Sequence, residues 1–292
     1  MRVIVLTHGR CEAVLEQLLT IEAVTIAGVF VETEILRRYR PSEALRRSIK
    51  YEGWGVTLKN YSRKLLGLGN SYDADMSATV KSQKRLSEIA TAANIPVFFV
   101  ANFHSDEARA LMGQLAPDLG VIYGTNIIKE SVFKIPRLGS INLHQGLAPW
   151  YRGGPPVFWE LYHGEQEVGI TAHFVEAKVD SGDIVLQETL PLVYDYAHGL
   201  NYDRFLDQYR ETLQERSASV LAGAVRLIAE GRAAPMRQDP TLGERYRLPT
   251  KSQKNELRRR LHERRSELEQ ANLKSELEVY PAARRSDEAS ST

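Results

Sequence analysis

An α/β fold is expected here, a doubly wound and mostly parallel sheet with helices on both faces. Three observations point to it. Leu119-Gly120-Val121-Ile122-Tyr123 is apolar throughout, as suits a central parallel strand covered on both sides. The N-terminal stretch reads as strand, turn, helix and second strand in succession. Ile141-Asn142-Leu143-His144 then reads as a strand that ends in polar side chains and runs into a Gly/Pro loop, at the sheet edge where open parallel sheets bind ligands.

Taken in order, Met1 to Leu6 has an apolar run too short for a signal sequence or a bilayer span, and reads as the first strand. Thr7-His8-Gly9-Arg10 is a strand-to-helix turn, and Cys11 to Leu19 has the spacing of a helix packed on a sheet. With one Gly and no G-x-G-x-x-G, the turn is not a dinucleotide fingerprint. Ile26 to Val31 is the second strand.

Residues 34–85 form a basic insertion carrying Arg37, Arg38, Arg40, Arg46, Arg47, Lys50, Lys59, Arg63 and Lys64. Its pattern is largely helical, with Leu45, Ile49, Leu58, Leu65 and Leu66 as buried positions, Gly53 and Gly55 as interruptions, and Gly67 to Asp75 as loop. Two readings compete: a solvated helical face, or a polyanion contact such as tRNA. Tyr51, Trp54 and Tyr61 read as core at helical spacing, with stacking on bases as the other reading.

Lys81 to Ala93 is helical, and Ile95 to Val100 is a strand that Pro96 confines to an edge or a start. Ser105 to Gly113 is a short helix capped by Ser105 or Asp106. Gly124 to Ile128 is a strand-to-helix turn. Val157 to His163 is a helix closed near Gly164, Gly169 to Val175 a strand, and Ile184 to Gln187 and Leu190 to Val193 two further strands. Tyr202 to Glu230 forms one or two amphipathic helices closed by Gly231. Thr241 to Thr250 is a linker. Lys251 to Leu277 is a charged helix with a thin stripe of Leu257, Leu261, Leu268, Leu273 and Leu277, and Pro281 to Thr292 reads as disordered. The domain expectation is therefore 1–200, a helical extension over 201–280, and a tail over 281–292.

With 292 residues, 43% hydrophobic and 26% charged, the chain can bury one large core plus an appendage, or two modest domains. A net charge of +1 implies no global attraction to polyanions. The one cysteine, Cys11, excludes an internal disulfide and reads as a small buried residue. His163 reads as a surface residue, and His104, His198 and His262 lack metal-ligand spacing, so no metal is expected. No apolar run is long enough for a membrane, so the expected compartment is cytoplasmic.

Strand alternation puts Asn142 and His144 on one face. The turn Val179-Asp180-Ser181-Gly182-Asp183 offers a carboxylate at its tip. Asn, His and Asp together suit acyl transfer to an amine, which needs hydrogen-bond donors for the acyl oxygen and a route for the amine proton. The competing reading has Asn142 and His144 satisfying local backbone groups and Asp180 making an Asx turn.

The segment from Val132 to Val157, VFKIPRLGSINLHQGLAPWYRGGPPV, resembles the core of the folate-dependent formyltransferases, such as glycinamide ribonucleotide and methionyl-tRNA formyltransferases. That family carries N-x-H-x-S-L-L-P and then a D-x-G turn, at an interval that His144 and Asp180 reproduce. The likeness spans roughly residues 1–200 and is strongest over 118–190. Two residues depart from it: Gly146 stands for the Ser and Ala148 for the second Leu.

The resemblance implies a Rossmann-like formyltransferase fold, catalysis by Asn142, His144 and Asp180, and His173 as a supporting residue. It implies 10-formyltetrahydrofolate as co-substrate, held by Asn126, Ile127, Ile128, Gly146, Leu147, Ala148, Pro149 and Val179. It also implies an amine acceptor near His8, Gly9, Arg10, Arg152 and Gly153. In that scheme His144 is held cationic by Asp180. The acceptor expected is a small primary amine, phosphorylated or nucleotide-linked. Charged tRNA is the alternative, favoured by the basic insertion and disfavoured by the helical tail. A hydrolase passing the formyl group to water is a further alternative, disfavoured because the chain starts directly at the first strand. A non-catalytic binding module is the non-enzyme reading, and a homo-oligomer is left open.

Overall fold

The computed structural model describes residues 1–33, 41–65, 71–192, 202–239 and 241–279. Its strands are β1 (Arg2–Thr7), β2 (Thr25–Glu32), β3 (Val97–Val100), β4 (Leu119–Tyr123), β5 (Ser140–His144), β6 (Tyr151–Gly153), β7 (Glu167–Phe174), β8 (Ile184–Pro191) and β9 (Glu244–Tyr246). Seven of them form one sheet in the order β3-β2-β1-β4-β5-β7-β8. From β3 to β5 the pairing is parallel, and β7 and β8 add antiparallel. The mostly parallel α/β sheet is as the sequence predicts.

Burial explains why β1 and β4 are apolar on both faces. Val3 and Val5 face one core, which holds α1 (Glu12–Leu19) and α8 (Tyr202–Ala229). Ile4 and Leu6 face the other, with Phe30, Phe103, Met112 of α5 (Asp106–Gln114) and Val132 of α6 (Glu130–Phe133). Period-two alternation on a strand with no exposed face requires apolar residues at every position. Ser105 caps α5 by accepting the Ala108 amide at 3.2 Å.

Residues beyond 201 add to the first core rather than building one of their own. Leu213, Val220, Leu221 and Val225 of α8, and Leu257 and Leu261 of α9 (Lys251–Val279), join the cluster of Val3, Leu15 and Ile170. Leu221 is fully buried in it. Leu221→Ala is therefore expected to cost about 2–5 kcal/mol of stability, read from denaturant unfolding, because lost transfer energy and a residual cavity add.

Several local expectations are corrected. Residues 184–191 form one strand, not two, and Val193 lies outside the described residues. Of the segment 67–75 expected as loop, Ser71 onward belongs to α4 (Ser71–Ala92), and the preceding part lies outside the described residues. The expected linker contains β9, which pairs with β6 in a second, two-stranded sheet. In the insertion, α2 (Pro41–Glu52) and α3 (Trp54–Leu65) meet at Gly53, whose positive φ of 86° breaks the helix. Leu45 and Leu58, expected inside, are exposed, as are Trp54 and Tyr61. Among the described residues, α2 and α3 pack on each other, and α2 also meets α9. Ile49 and Tyr51 are half-buried, and the Tyr51 carbonyl accepts the Lys254 ammonium at 3.0 Å. Residues 34–40, with Arg37, Arg38 and Arg40, together with Leu66, His198 and the tail 280–292, lie outside the described residues, and the side chains of Arg63, Lys64 and Leu65 are likewise undescribed. No helix among the described residues is long and apolar enough to cross a membrane.

Candidate active site

β5 and β7 pair antiparallel, with Asn142 opposite His173 and His144 opposite Thr171. The turn after β7 returns Asp180 to this edge at φ 52°, a left-handed conformation that Asp tolerates better than bulkier residues. The Asp180 carboxylate lies between two imidazoles. Its Oδ2 is 3.5 Å from Nδ1 of His144, and its Oδ1 is 3.5 Å from Nε2 of His173. It also accepts the Gly153 amide at 2.9 Å. Burial works to raise its pKa, but His173, His144 and the Gly153 amide together outweigh burial and hold the carboxyl below the usual carboxylate range. Asp180 is thus a carboxylate at neutral pH.

Burial lowers the His144 pKa from its ordinary value, while the Asp180 carboxylate and the Tyr151 carbonyl work to raise it. Its Nε2 lies 2.7 Å from the Tyr151 carbonyl oxygen. A carbonyl only accepts, so Nε2 carries a proton, and Nδ1 faces the Asp180 carboxylate. His173 donates from Nδ1 to the Phe174 carbonyl at 2.7 Å, and its Nε2 has no hydrogen-bond partner among the described residues.

His144 separates two cavities. One, of about 300 Å³, is lined by Asn126, Ile127, Ile128, Asn142, His144 and the segment from Val175 through Val179 to Asp180. The other, of about 420 Å³, is lined by His8, Gly9 and Arg10 of the first turn, by Tyr123 and Gly124, and by His144, Gln145, Gly154, Pro156 and Gln214. Both lie at the C-terminal edge of the parallel strands, where such sheets bind ligands.

The structure therefore brings together Asn126, Ile127, Ile128, Val179, Asn142, His144, Asp180 and His173 on one side, and His8, Gly9 and Arg10 on the other. Gly146, Leu147, Ala148 and Pro149 line neither cavity. Thr171 donates to the Gly146 carbonyl at 2.7 Å, Gln187 donates to the Ala148 carbonyl at 2.9 Å, and the Ala148 amide donates to Thr171 at 3.3 Å. That loop is pinned onto β7, where Gly169 has no side chain to block Leu147: a Cβ there would lie 2.4 Å from the Leu147 backbone. Arg152 points away, toward the Leu242 carbonyl at 3.4 Å. Gly153 sits beside Asp180 in the smaller cavity rather than in the larger one.

Sequence reasoning missed the Tyr151 carbonyl, because a backbone group carries no residue signature. It also missed Gln214, for which the signal was a polar residue beside Leu213 in the apolar stripe of α8. Gly146 matters in a way that the sequence did not show. A Cβ at that position would lie 2.4 Å from Nε2 of His144 and 2.6 Å from the Tyr151 oxygen. Gly146→Ser is therefore expected to break that hydrogen bond and cost about 1–3 kcal/mol, as overpacking does. Denaturant unfolding and the ¹⁵N shift of the His144 ring would read both effects.

Among the described residues no group of His, Cys, Asp and Glu could hold a metal ion. A family profile described as formyl transferase matches residues 43–216. The methionyl-tRNA formyltransferase of Pelotomaculum thermopropionicum is 32% identical over 149 residues, which is 51% of this chain and 45% of that protein. The chain spans about half the length of the curated relatives it matches. Among solved structures, glycinamide ribonucleotide transformylase 1 from Symbiobacterium toebii aligns with a TM-score of 0.51 at 19% identity, over 82% of this chain and 94% of that one. A formyltetrahydrofolate deformylase from Pseudomonas syringae aligns with a TM-score of 0.53 at 16% identity, over 82% and 66%. These two likenesses speak for the fold. The match across more than half of the sequence, on a sheet of the same architecture, makes this chain a member of the formyl transferase family.

Proposed function

We propose that this protein is an N-formyltransferase that moves a formyl group from 10-formyltetrahydrofolate to the primary amine of a small acceptor. The observation that carries the reading is the position of His144, which lines both cavities and so can meet a donor on one side and an amine on the other.

The smaller cavity fits a reduced folate head in kind. At about 300 Å³ it has the size of a small-molecule site, and the turn from Asn126 to Ile128 faces the 175–180 segment across it. Bound there, the co-substrate would supply the activated one-carbon acyl group. Asn142 presents an amide donor for the acyl oxygen as negative charge develops on it. Neutral His144 accepts the amine proton at Nδ1, and the adjacent Asp180 carboxylate offsets the positive charge that the ring acquires. His173 keeps Asp180 in place from its other side.

The larger cavity, at about 420 Å³, suits a small acceptor, and exposed Arg10 at its rim suits a phosphorylated or nucleotide-linked one. A second reading, formylation of charged tRNA, is favoured by a different observation. Trp54 and Tyr61 stand exposed among Arg46, Lys50 and Lys59 on α2 and α3, a combination suited to stacking and phosphate contacts. The names of the curated relatives agree with it.

The test is tetrahydrofolate formation from 10-formyltetrahydrofolate, first without an acceptor and then with glycinamide ribonucleotide, nucleotide-linked amino sugars and charged methionyl-tRNA. Stimulation by a small amine supports the proposal. Stimulation by tRNA alone supports the second reading, acceptor-independent release supports the hydrolase, and silence throughout supports a binding module.

A further inference from the structure

β6 holds the site through two backbone groups. Its Tyr151 carbonyl accepts from His144 at 2.7 Å, and its Gly153 amide donates to Asp180 at 2.9 Å. β6 is three residues long and belongs to no part of the main sheet. Its ladder partner is β9, far along the chain, with Arg152 opposite Arg245 and Gly153 opposite Tyr246. The Gly154 amide donates to the Tyr246 carbonyl at 3.0 Å, and the Glu244 amide donates to the Trp150 carbonyl at 3.1 Å. The Trp159 indole adds a bond to the Arg247 carbonyl at 2.9 Å. β9 itself lines neither of the cavities that His144 separates.

Two glycines permit this approach. Gly243 has a φ of 65°, and a Cβ there would lie 2.2 Å from both the Pro149 oxygen and the Trp150 Cα. A Cβ on Gly153 would lie 2.7 Å from the Tyr246 oxygen. Tyr246 also stacks on Tyr151 and Trp159, with centroids 5.3 and 5.0 Å apart. β9 thus touches the site in two separable ways, through the backbone ladder and through aromatic packing.

We propose that β9 is a positioning element for His144 and Asp180, a clasp that fixes β6 and thereby sets the imidazole's tautomer and the carboxylate's direction. The inference rests on the roles proposed above for those two residues. If the clasp does this, breaking the ladder disturbs His144, whereas removing the Tyr246 ring does not.

The experiment compares Gly243→Val, which wedges β9 away from Pro149 and Trp150, with Glu244→Pro, which deletes the amide bonded to Trp150. Tyr246→Ala is the packing control. Each protein is read by ¹⁵N–¹H correlation of the histidine rings, by kcat and KM for 10-formyltetrahydrofolate, and by unfolding. Expected in the two ladder variants is loss of the pure Nε2–H form of His144 and a fall in kcat toward about 10²-fold, the scale of a misplacement near 1 Å, with KM little changed. Tyr246→Ala is expected to lower the unfolding midpoint while leaving the His144 resonances and kcat as they were. The inference is overturned if both ladder variants fold and keep the wild-type ring signals and kcat, or if Tyr246→Ala disturbs the ring as they do. Should Gly243→Val fail to fold, Glu244→Pro decides alone. Should wild-type protein transfer no formyl group, the function proposed above falls, and the ring resonances still decide whether β9 sets the tautomer.

Discussion

Asp180→Asn is expected to lower the rate of formyl transfer by about 10²–10⁴-fold, the range for losing a group that supports proton transfer, while the protein stays folded. The amide keeps an oxygen for the Gly153 amide, now 2.9 Å from the carboxylate, so the turn after β7 keeps its anchor. What disappears is the negative charge 3.5 Å from Nδ1 of His144. Without it the ring cannot gain a proton cheaply in a buried site, since burial already lowers its pKa. Steady-state kinetics with a proven acceptor, beside circular dichroism, would check this, and near-full turnover would remove Asp180 from the mechanism. There is a stability signature as well. Because folding depresses the Asp180 pKa, its contribution is present above the ordinary carboxylate pKa of about 4 and is lost as pH falls through the folded value. The Asn variant should lack that acid-side loss.

The second large effect is at His144. His144→Gln is expected to cost a similar factor of about 10²–10⁴ in kcat, with little change in binding to the folate-side cavity. The pH profile of the wild-type protein is equally diagnostic. Burial places the ring's pKa below the usual His value, so the active neutral form predominates at neutral pH and the rate should fall only as pH drops below about 6.5. Stability follows the same sign: the folded protein binds this proton less well than the unfolded chain, so the contribution is complete above the unfolded pKa and is lost on acidification. An acid limb lying well above 6.5 would mean that the imidazolium is the resting form after all.

Much of the fold was legible because its cause is local. The wholly apolar run Leu119 to Tyr123 could only be a strand covered on both faces, and it lies at the middle of the sheet. Strand alternation paired Asn142 with His144 and the family interval paired His144 with Asp180, and the three line one cavity. β9 was not legible: three residues are too few for alternation to show. The loop from Gly146 to Pro149 is assigned to the folate through resemblance alone; its Gly146 and Ala148 carbonyls are held by Thr171 and Gln187, side chains remote in sequence. Leu45 and Leu58 had helical spacing, but spacing says which residues share a face and not whether anything covers it. The burial of His144, which lowers its pKa, is a tertiary property that the sequence does not show.

The most direct measurement is a crystal structure with 5-formyltetrahydrofolate, a stable carrier of the formyl group. The account predicts the pteridine between the turn of Asn126 to Ile128 and the segment from Val175 to Asp180, with the one-carbon unit in hydrogen-bond reach of Asn142 and His144, about 2.7–3.1 Å. A folate seated instead in the cavity beside Trp150 and Tyr246, or on the His8 to Arg10 side of His144, would contradict it.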